Sequence, residues 1–360
     1  MERTQIRIPS LDGLRTISIA LVLIGHSLHL YGFGSYGNLG NLGVRVFFVI
    51  SGFLITGLLV REIERTSSVN LLKFYFRRTL RIFPPYYFYL IVVSLAVLLG
   101  LTEIPGSSLL FAAAYLTDYI HPNNWLLGHT WSLAVEEQFY LILPGLLLLL
   151  GIARAKLMLI LIVLILPVLR IVDFHLSGAE QVWVIKGFHA NTDALAIGCL
   201  LTLFRTALHT SKLYLRFLGR PWVFLLLPLI FLANIQQDHP HILLGFSFTF
   251  INISAALFID WAVTNYDTAV GRFLNSAVMV KLGMMSYSIY LWQQPFLDPT
   301  SGIWFTQFPY NIAGIAIMSM ISYHLVERYS LRLRQTWESK LFTGKRTTDD
   351  NSIPAAVAAG

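Results

Sequence analysis

Charge is what this chain has least of. Charged residues make up 12% of its 360 positions, about half the share of an ordinary soluble domain. So few charges cannot coat a water-facing surface of that size, which excludes a soluble enzyme. The 56% hydrophobic content excludes a disordered chain, because disorder requires low hydrophobicity and high charge. Cysteine is almost missing as well. The single Cys199 excludes an internal disulfide and any multi-cysteine zinc site. Acidic residues are outnumbered, 19 against 26 Lys and Arg, for a formal net charge of +7. Such a balance can signal nucleic acid, but the positions of the cations argue for a bilayer and against a nucleic-acid partner.

Long apolar runs are abundant. A helix that crosses a bilayer needs about 17–25 mostly apolar residues, and about ten such windows occur: 16–31, 43–60, 83–101, 131–151, 155–173, 192–208, 222–236, 242–262, 284–297 and 308–326. The stretch 108–120 is shorter and reads as a partial or interfacial helix. Arg3, Arg7 and Arg15 precede the first window as in a signal peptide. No small-residue cleavage pattern follows, so a retained first helix is expected. Ten crossings from a cytosolic N-terminus place all but three of the Lys and Arg residues in cytosolic segments, the exceptions being Arg45, Arg170 and Lys186. That asymmetry is the positive-inside signature, and some basic loops could touch anionic lipid. The expected fold is an all-α polytopic integral membrane protein with about ten transmembrane helices and both termini cytosolic. Residues 1–340 form the transmembrane domain, 341–360 a disordered cytosolic tail, and no attached soluble domain is expected.

Ionisable groups at membrane depth are candidates for function, because burying them is costly. Arg15 and His26 lie eleven residues apart, close to three helical turns, so they share a face about 16 Å apart along the axis. Ser18 and His29 lie near the same stripe. A plain packing histidine is the competing reading of His26, and a snorkelling anchor that of Arg15. His26 and His29 lack a third metal ligand at helical spacing, so no metal site is assigned. Glu136 and Glu137 stand in the first two turns of the fourth window, after Trp131-Ser132-Leu133. A helix N-terminus favours negative charge by a few tenths to about 1 kcal/mol, too little to offset burying two carboxylates, so at least one is expected to face a polar cavity or a cation. Arg77, Arg78 and Arg81 cluster in a segment, 73–85, that reads as a cytosolic loop closed by Pro84-Pro85. Three guanidinium groups so close suit phosphate capture, against the bland alternative of topology alone. Ser51-Gly52 permits close helix approach, Asp193 could cap a helix or line a cavity, and Ser286–Pro295 suits an interfacial aromatic belt or a carbohydrate-facing wall.

Six segments in order resemble the membrane-bound acyltransferase-3 family. They are Leu11-Asp12-Gly13-Leu14-Arg15 with His26, Phe48–Ile55, Arg78-x-x-Arg81, Trp131–Tyr140, Asp193-x-Leu195-x-x-Gly198 and Tyr287–Trp292. They span about residues 8 to 330, and the chain is similar to the stand-alone type without a fused hydrolase-like domain. Gln293 stands where many members have histidine, and Asn191 where many have arginine. The resemblance implies acyl transfer, usually of acetyl, from acyl-CoA to a glycan hydroxyl in a bacterial-type cytoplasmic membrane. The donor would be a substrate, with no permanently bound cofactor. It implies a catalytic His26, and CoA held by Arg78 and Arg81 with Arg15 in support.

Joined to the spacing, this gives a mechanistic expectation. CoA phosphates rest on Arg77, Arg78 and Arg81, and the pantetheine arm runs along the first helix. His26 acts as general base, with Glu136 or Glu137 orienting its ring if the first and fourth helices are neighbours. An acyl-histidine relay is the second route. A transporter of a lipid-linked saccharide or small anion is the competing class, and would carry an inverted repeat that is not evident here. A scaffold would tolerate loss of His26.

Overall fold

The structure, a computed structural model, describes residues 8–30, 38–120, 124–177, 185–236, 239–298 and 302–342. Among the described residues all regular structure is helical. In chain order the helices are α1 (Pro9–Leu30), α2 (Leu39–Thr66), α3 (Leu71–Leu98), α4 (Gly106–Ala113), α5 (Trp125–Gly128), α6 (Thr130–Ser177) and α7 (Phe188–Leu208). There follow α8 (Lys212–Leu218), α9 (Leu226–Asn234), α10 (Phe248–Thr264), α11 (Ala269–Leu274), α12 (Ala277–Trp292), α13 (Tyr310–Ile321) and α14 (Arg328–Phe342).

Each apolar window overlaps helix among the described residues. By length and composition five stretches can cross a membrane, or six if α7 and α8, bent by 117°, count as one. Leu98, Leu149 and Leu164 are exposed, as side chains facing hydrocarbon would be, and the chain is a multi-pass membrane protein. Windows 131–151 and 155–173 lie in one long α6, broken at Gly151 by a left-handed conformation with φ 71° and ψ 166°. That backbone favours glycine, which has no Cβ to clash.

The structure moves two boundaries. The first helix begins at Pro9, seven residues before its window, because polar groups of its early turns are satisfied by neighbours. Ser10 donates to Asn275 Oδ1 at 2.9 Å and Thr16 to the Met279 carbonyl at 2.5 Å. The expected loop 73–85 is helix instead. Asn70 caps α3 by accepting from the Lys73 amide at 2.9 Å, and Pro84 and Pro85 lie inside the helix. Three tyrosines tie α3 to the segment after it: Tyr86 and Tyr87 donate to the Ala112 and Ala113 carbonyls at 2.8 Å, and Tyr89 to that of Leu126 at 2.7 Å. The first two reach carbonyls in the last turn of the short α4, the expected partial helix, and at its end.

α2 packs on both α1 and α7. At the α2–α7 crossing a Cβ on Gly52 would collide with the Leu195 carbonyl, and one on Gly198 with that of Val49. α12 packs on the other side of α1, and α14 lies along α3. The proposed tail from 341 lies outside the described residues from 343 onward.

Candidate active site

His26 lies on α1 within the wall of a cavity of about 450 Å³, which is also lined by Gly40, Trp125, His129, Lys186 and Tyr290. That volume suits a small-molecule site. Its Nδ1 is 2.7 Å from Gln293 Oε1, at the end of α12. The indole of Trp125 meets His26 edge-on at 5.4 Å between centroids and stacks on His29 at 5.9 Å. The Gly40 backbone passes beside His26, so that a Cβ there would stand 3.5 Å from Nε2. His129 was not foreseen. Its ring is buried between Tyr89 and Tyr290. The signal was its place directly before Thr130-Trp131-Ser132, at the start of a segment already singled out.

Ser286–Pro295 is not an exposed belt, and its Tyr290 and Gln294 line the cavity. Tyr290, Trp292, Gln293 and Gln294 are buried. The Tyr290 hydroxyl donates to the His129 carbonyl at 2.9 Å and meets Ser132 at 2.6 Å. The segment is thus a strut that holds one side of the cavity.

The carboxylates lie elsewhere than expected. Arg78 stands 3.6 Å from Glu136 and 3.8 Å from Glu137, with its guanidinium 3.5 Å above the Tyr140 ring. Glu136 also accepts from the hydroxyls of Ser51 and Tyr140. Three side chains, from α2, α3 and α6, therefore converge on this carboxylate. The expected contact of Glu136 or Glu137 with His26 is not among the hydrogen bonds of the described residues. The physical reason is that α2 packs against both α1 and α6 and separates them.

The four arginines assigned to phosphate also divide. Arg77 is clamped by Glu338 of α14, Nε to Oε2 at 2.8 Å, with Lys73 at 3.6 Å from the same carboxylate. The Arg77 bond holds the Glu338 carboxyl below its usual value. Arg15 meets Asp12 at 3.3 Å, and Arg78 is held as described. Arg81 is exposed and forms no ion pair among the described residues. The charges acting on it are Arg15, Arg78 and Arg334, with Glu327 opposing them. Arg334 and Glu327, which sequence reasoning passed over, thus join this basic cluster.

Two cations outside the expected cytosolic set are fully buried together. Arg170 donates to Asp193 Oδ2 and to the Ala190 carbonyl at 2.9 Å, and to Thr249 at 2.7 Å. Arg45 lies 3.4 Å above the Phe248 ring and 3.3 Å from Asn191 Oδ1. Asp193 therefore does not cap α7, which begins at Phe188, but pairs inside the bundle.

A multi-pass helical protein with a histidine-lined cavity and a separate arginine cluster has the parts of a membrane enzyme. Residues 8–326 match the acyltransferase domain of the acyltransferase-3 family. The chain belongs to that family. It is 30% identical over 350 residues to the O-acetyltransferase OatA of Staphylococcus aureus, covering 89% of this chain and 56% of that protein. To the peptidoglycan O-acetyltransferase OatA of Listeria monocytogenes it is 26% identical over 353 residues, covering 89% and 55%. The chain thus spans about half the length of these curated relatives. No solved structure matches it.

Proposed function

We propose that this protein carries an acetyl group from cytosolic acetyl-CoA to a glycan hydroxyl at the far side of a bacterial cytoplasmic membrane, with His26 as general base. The acceptor class follows the peptidoglycan named for the Listeria relative. The observation that carries the reading is His26 itself, lodged in a cavity wall with Nε2 beside a residue that has no side chain.

The reaction needs one base and one conduit. The acceptor hydroxyl gives its proton to His26 as its oxygen attacks the thioester carbonyl. The tetrahedral intermediate then collapses, the C–S bond breaks, and the imidazolium returns the proton to the departing CoA thiolate. His129 and Lys186 supply polar groups around the reacting carbonyl. Arg81, with Arg15 and Arg334, receives the phosphates of CoA, and the thioester reaches His26 along α1, about 16 Å from Arg15 at 1.5 Å per residue. Arg78, Glu136 and Glu137 brace the helices between the two ends. The chain crosses the membrane ten times with both termini in the cytosol.

The test is transfer of radiolabelled acetyl from acetyl-CoA into glycan by membranes holding wild type or His26→Ala at equal abundance. Loss of about 10²–10⁴-fold in the variant, the usual contribution of a positioned base, is the expected result. Equal labelling by both would discard His26 as the base, and labelling by neither would discard acetyl-CoA as donor.

A further inference from the structure

An imidazole can act as a base only through the nitrogen that lacks a proton, and the partner of the other nitrogen decides which one that is. Side-chain amides are ordinarily ambiguous here, since their oxygen and nitrogen are interchangeable in shape. The chain of bonds next to His26 removes that ambiguity, because it ends on a backbone atom. The Trp125 carbonyl can only accept, and Gln294 Nε2 donates to it at 2.8 Å. Gln294 must therefore present Oε1 to Gln293, whose Nε2 donates to it at 2.9 Å. Gln293 is left with Oε1 turned to His26 Nδ1, at 2.7 Å. An amide oxygen has no proton to give, so Nδ1 carries the hydrogen and Nε2 the lone pair.

A second bond locks the same pair from the other side. The Trp125 indole, a donor only, gives its Nε1 proton to the Gln294 carbonyl at 2.9 Å. Gln293 and Gln294 are 0% and 2% exposed, so water does not compete for these bonds. Gln293 is the residue at the end of α12, and Gln294 opens the short turn Gln294–Phe296. The bare Nε2 faces the cavity beside Gly40.

We infer that Gln293, backed by Gln294 and the Trp125 carbonyl, is a positioning residue that fixes His26 as its Nδ1–H tautomer and reserves Nε2 for the acceptor proton. The inference rests on the reading of His26 as the base. Its chemical consequence lies in the neutrality of the amide. A carboxylate in this place would hold the imidazolium after proton transfer, whereas an amide leaves it free to protonate the CoA thiolate. The other groups that act on His26 are His29 from α1 and Lys186 from the segment before α7, and His26 in turn acts on His129 from the segment before α6. None of the three is hydrogen-bonded to the ring among the described residues.

Two measurements test this. The first is the ¹⁵N spectrum of histidine-labelled protein in lipid, with the His26 signals assigned by their loss in His26→Ala. The expected spectrum has a protonated Nδ1 and a bare Nε2 in wild type, and gains the opposite tautomer in Gln293→Met, which keeps length and removes the acceptor. A protonated Nε2 in wild type, or an unchanged spectrum in Gln293→Met, would overturn the proposal. The second is acetyl transfer against pH. Gln293→Met should lower kcat about tenfold to a hundredfold, part of what a positioned base contributes, with KM for acetyl-CoA unchanged. Gln293→Glu, whose carboxylate holds the imidazolium, should also lower kcat and move the acid limb of the profile to higher pH; an unshifted limb would overturn the proposal. Full transfer by His26→Ala would sink the underlying base reading. Loss in His26→Ala with wild-type transfer in Gln293→Met would sink the relay alone.

Discussion

Arg78 sits between two carboxylates and an aromatic face, and its neighbour one turn on, Arg81, has no ion pair among the described residues. The two arginines of one short motif thus differ in what their removal should do. Arg78→Ala leaves the half-buried Glu136 and Glu137 without their cation, and should cost part of the about 3–5 kcal/mol lost when a fully buried pair is broken. It should lower the melting temperature in detergent and the yield of folded protein. Arg81→Gln removes a cation that holds nothing together, so it should keep the melting temperature and raise KM for acetyl-CoA. Equal effects of the two variants on stability would contradict this division. The residue types were legible in the sequence: His26, the two glutamates and the arginines were all marked as costly at their depth. Their pairing was not, because Arg78 meets a carboxylate 58 positions away and helical spacing says nothing about contacts between helices. Gln293 shows the converse. Its departure from the family's common histidine was visible, yet its role depends on Gln294 and a carbonyl 169 positions from it.

Between helices, small residues decide how close backbones come. Gly52 and Gly198 sit where an added Cβ would strike the partner helix's carbonyl, with no flexible atom to give way. Gly198→Val should therefore prevent α2 and α7 from seating, and overpacking of this kind typically costs about 1–3 kcal/mol or more. Size-exclusion chromatography of the solubilised protein is the check, with an aggregated profile expected; a monodisperse, fully stable variant would refute it. The docking of α14 depends on charge instead. Glu338 is held below its ordinary value of 4.5 by the Arg77 bond, so its contribution is complete above that pH and fades as pH falls through the lower folded-state value. Being partly exposed, the pair contributes roughly 1 kcal/mol or less. Glu338→Gln should thus make trypsin cleavage in α14 faster at neutral pH, and the difference from wild type should shrink in acid, read with an acid-active protease. The helix windows were legible because hydropathy repeats locally. The early start of α1 and the helical state of 73–85 were not, because burial of Ser10 and Thr16 against α11 and α12 is a tertiary event.

Over the entire chain, the distribution of cations and apolar runs makes a topological statement that can be tested directly. The native Cys199 is fully buried, so it should not react with a membrane-impermeant maleimide in intact cells. Cysteines placed at Gln236 and at Leu341 should then report opposite sides: the first labelled from outside, the second only after lysis. Labelling of both from outside would refute ten crossings with cytosolic termini. Composition alone determined the class of solvent, since 12% charge over 360 residues cannot satisfy water, and the ordered motifs determined the family. Those properties are sums over local positions, which a sequence displays in full. Which carboxylate answers which arginine, and which nitrogen of His26 is bare, were decided only by the tertiary structure. Such roles are set by hydrogen-bond partners a few ångströms away in space and dozens to hundreds of positions away along the chain.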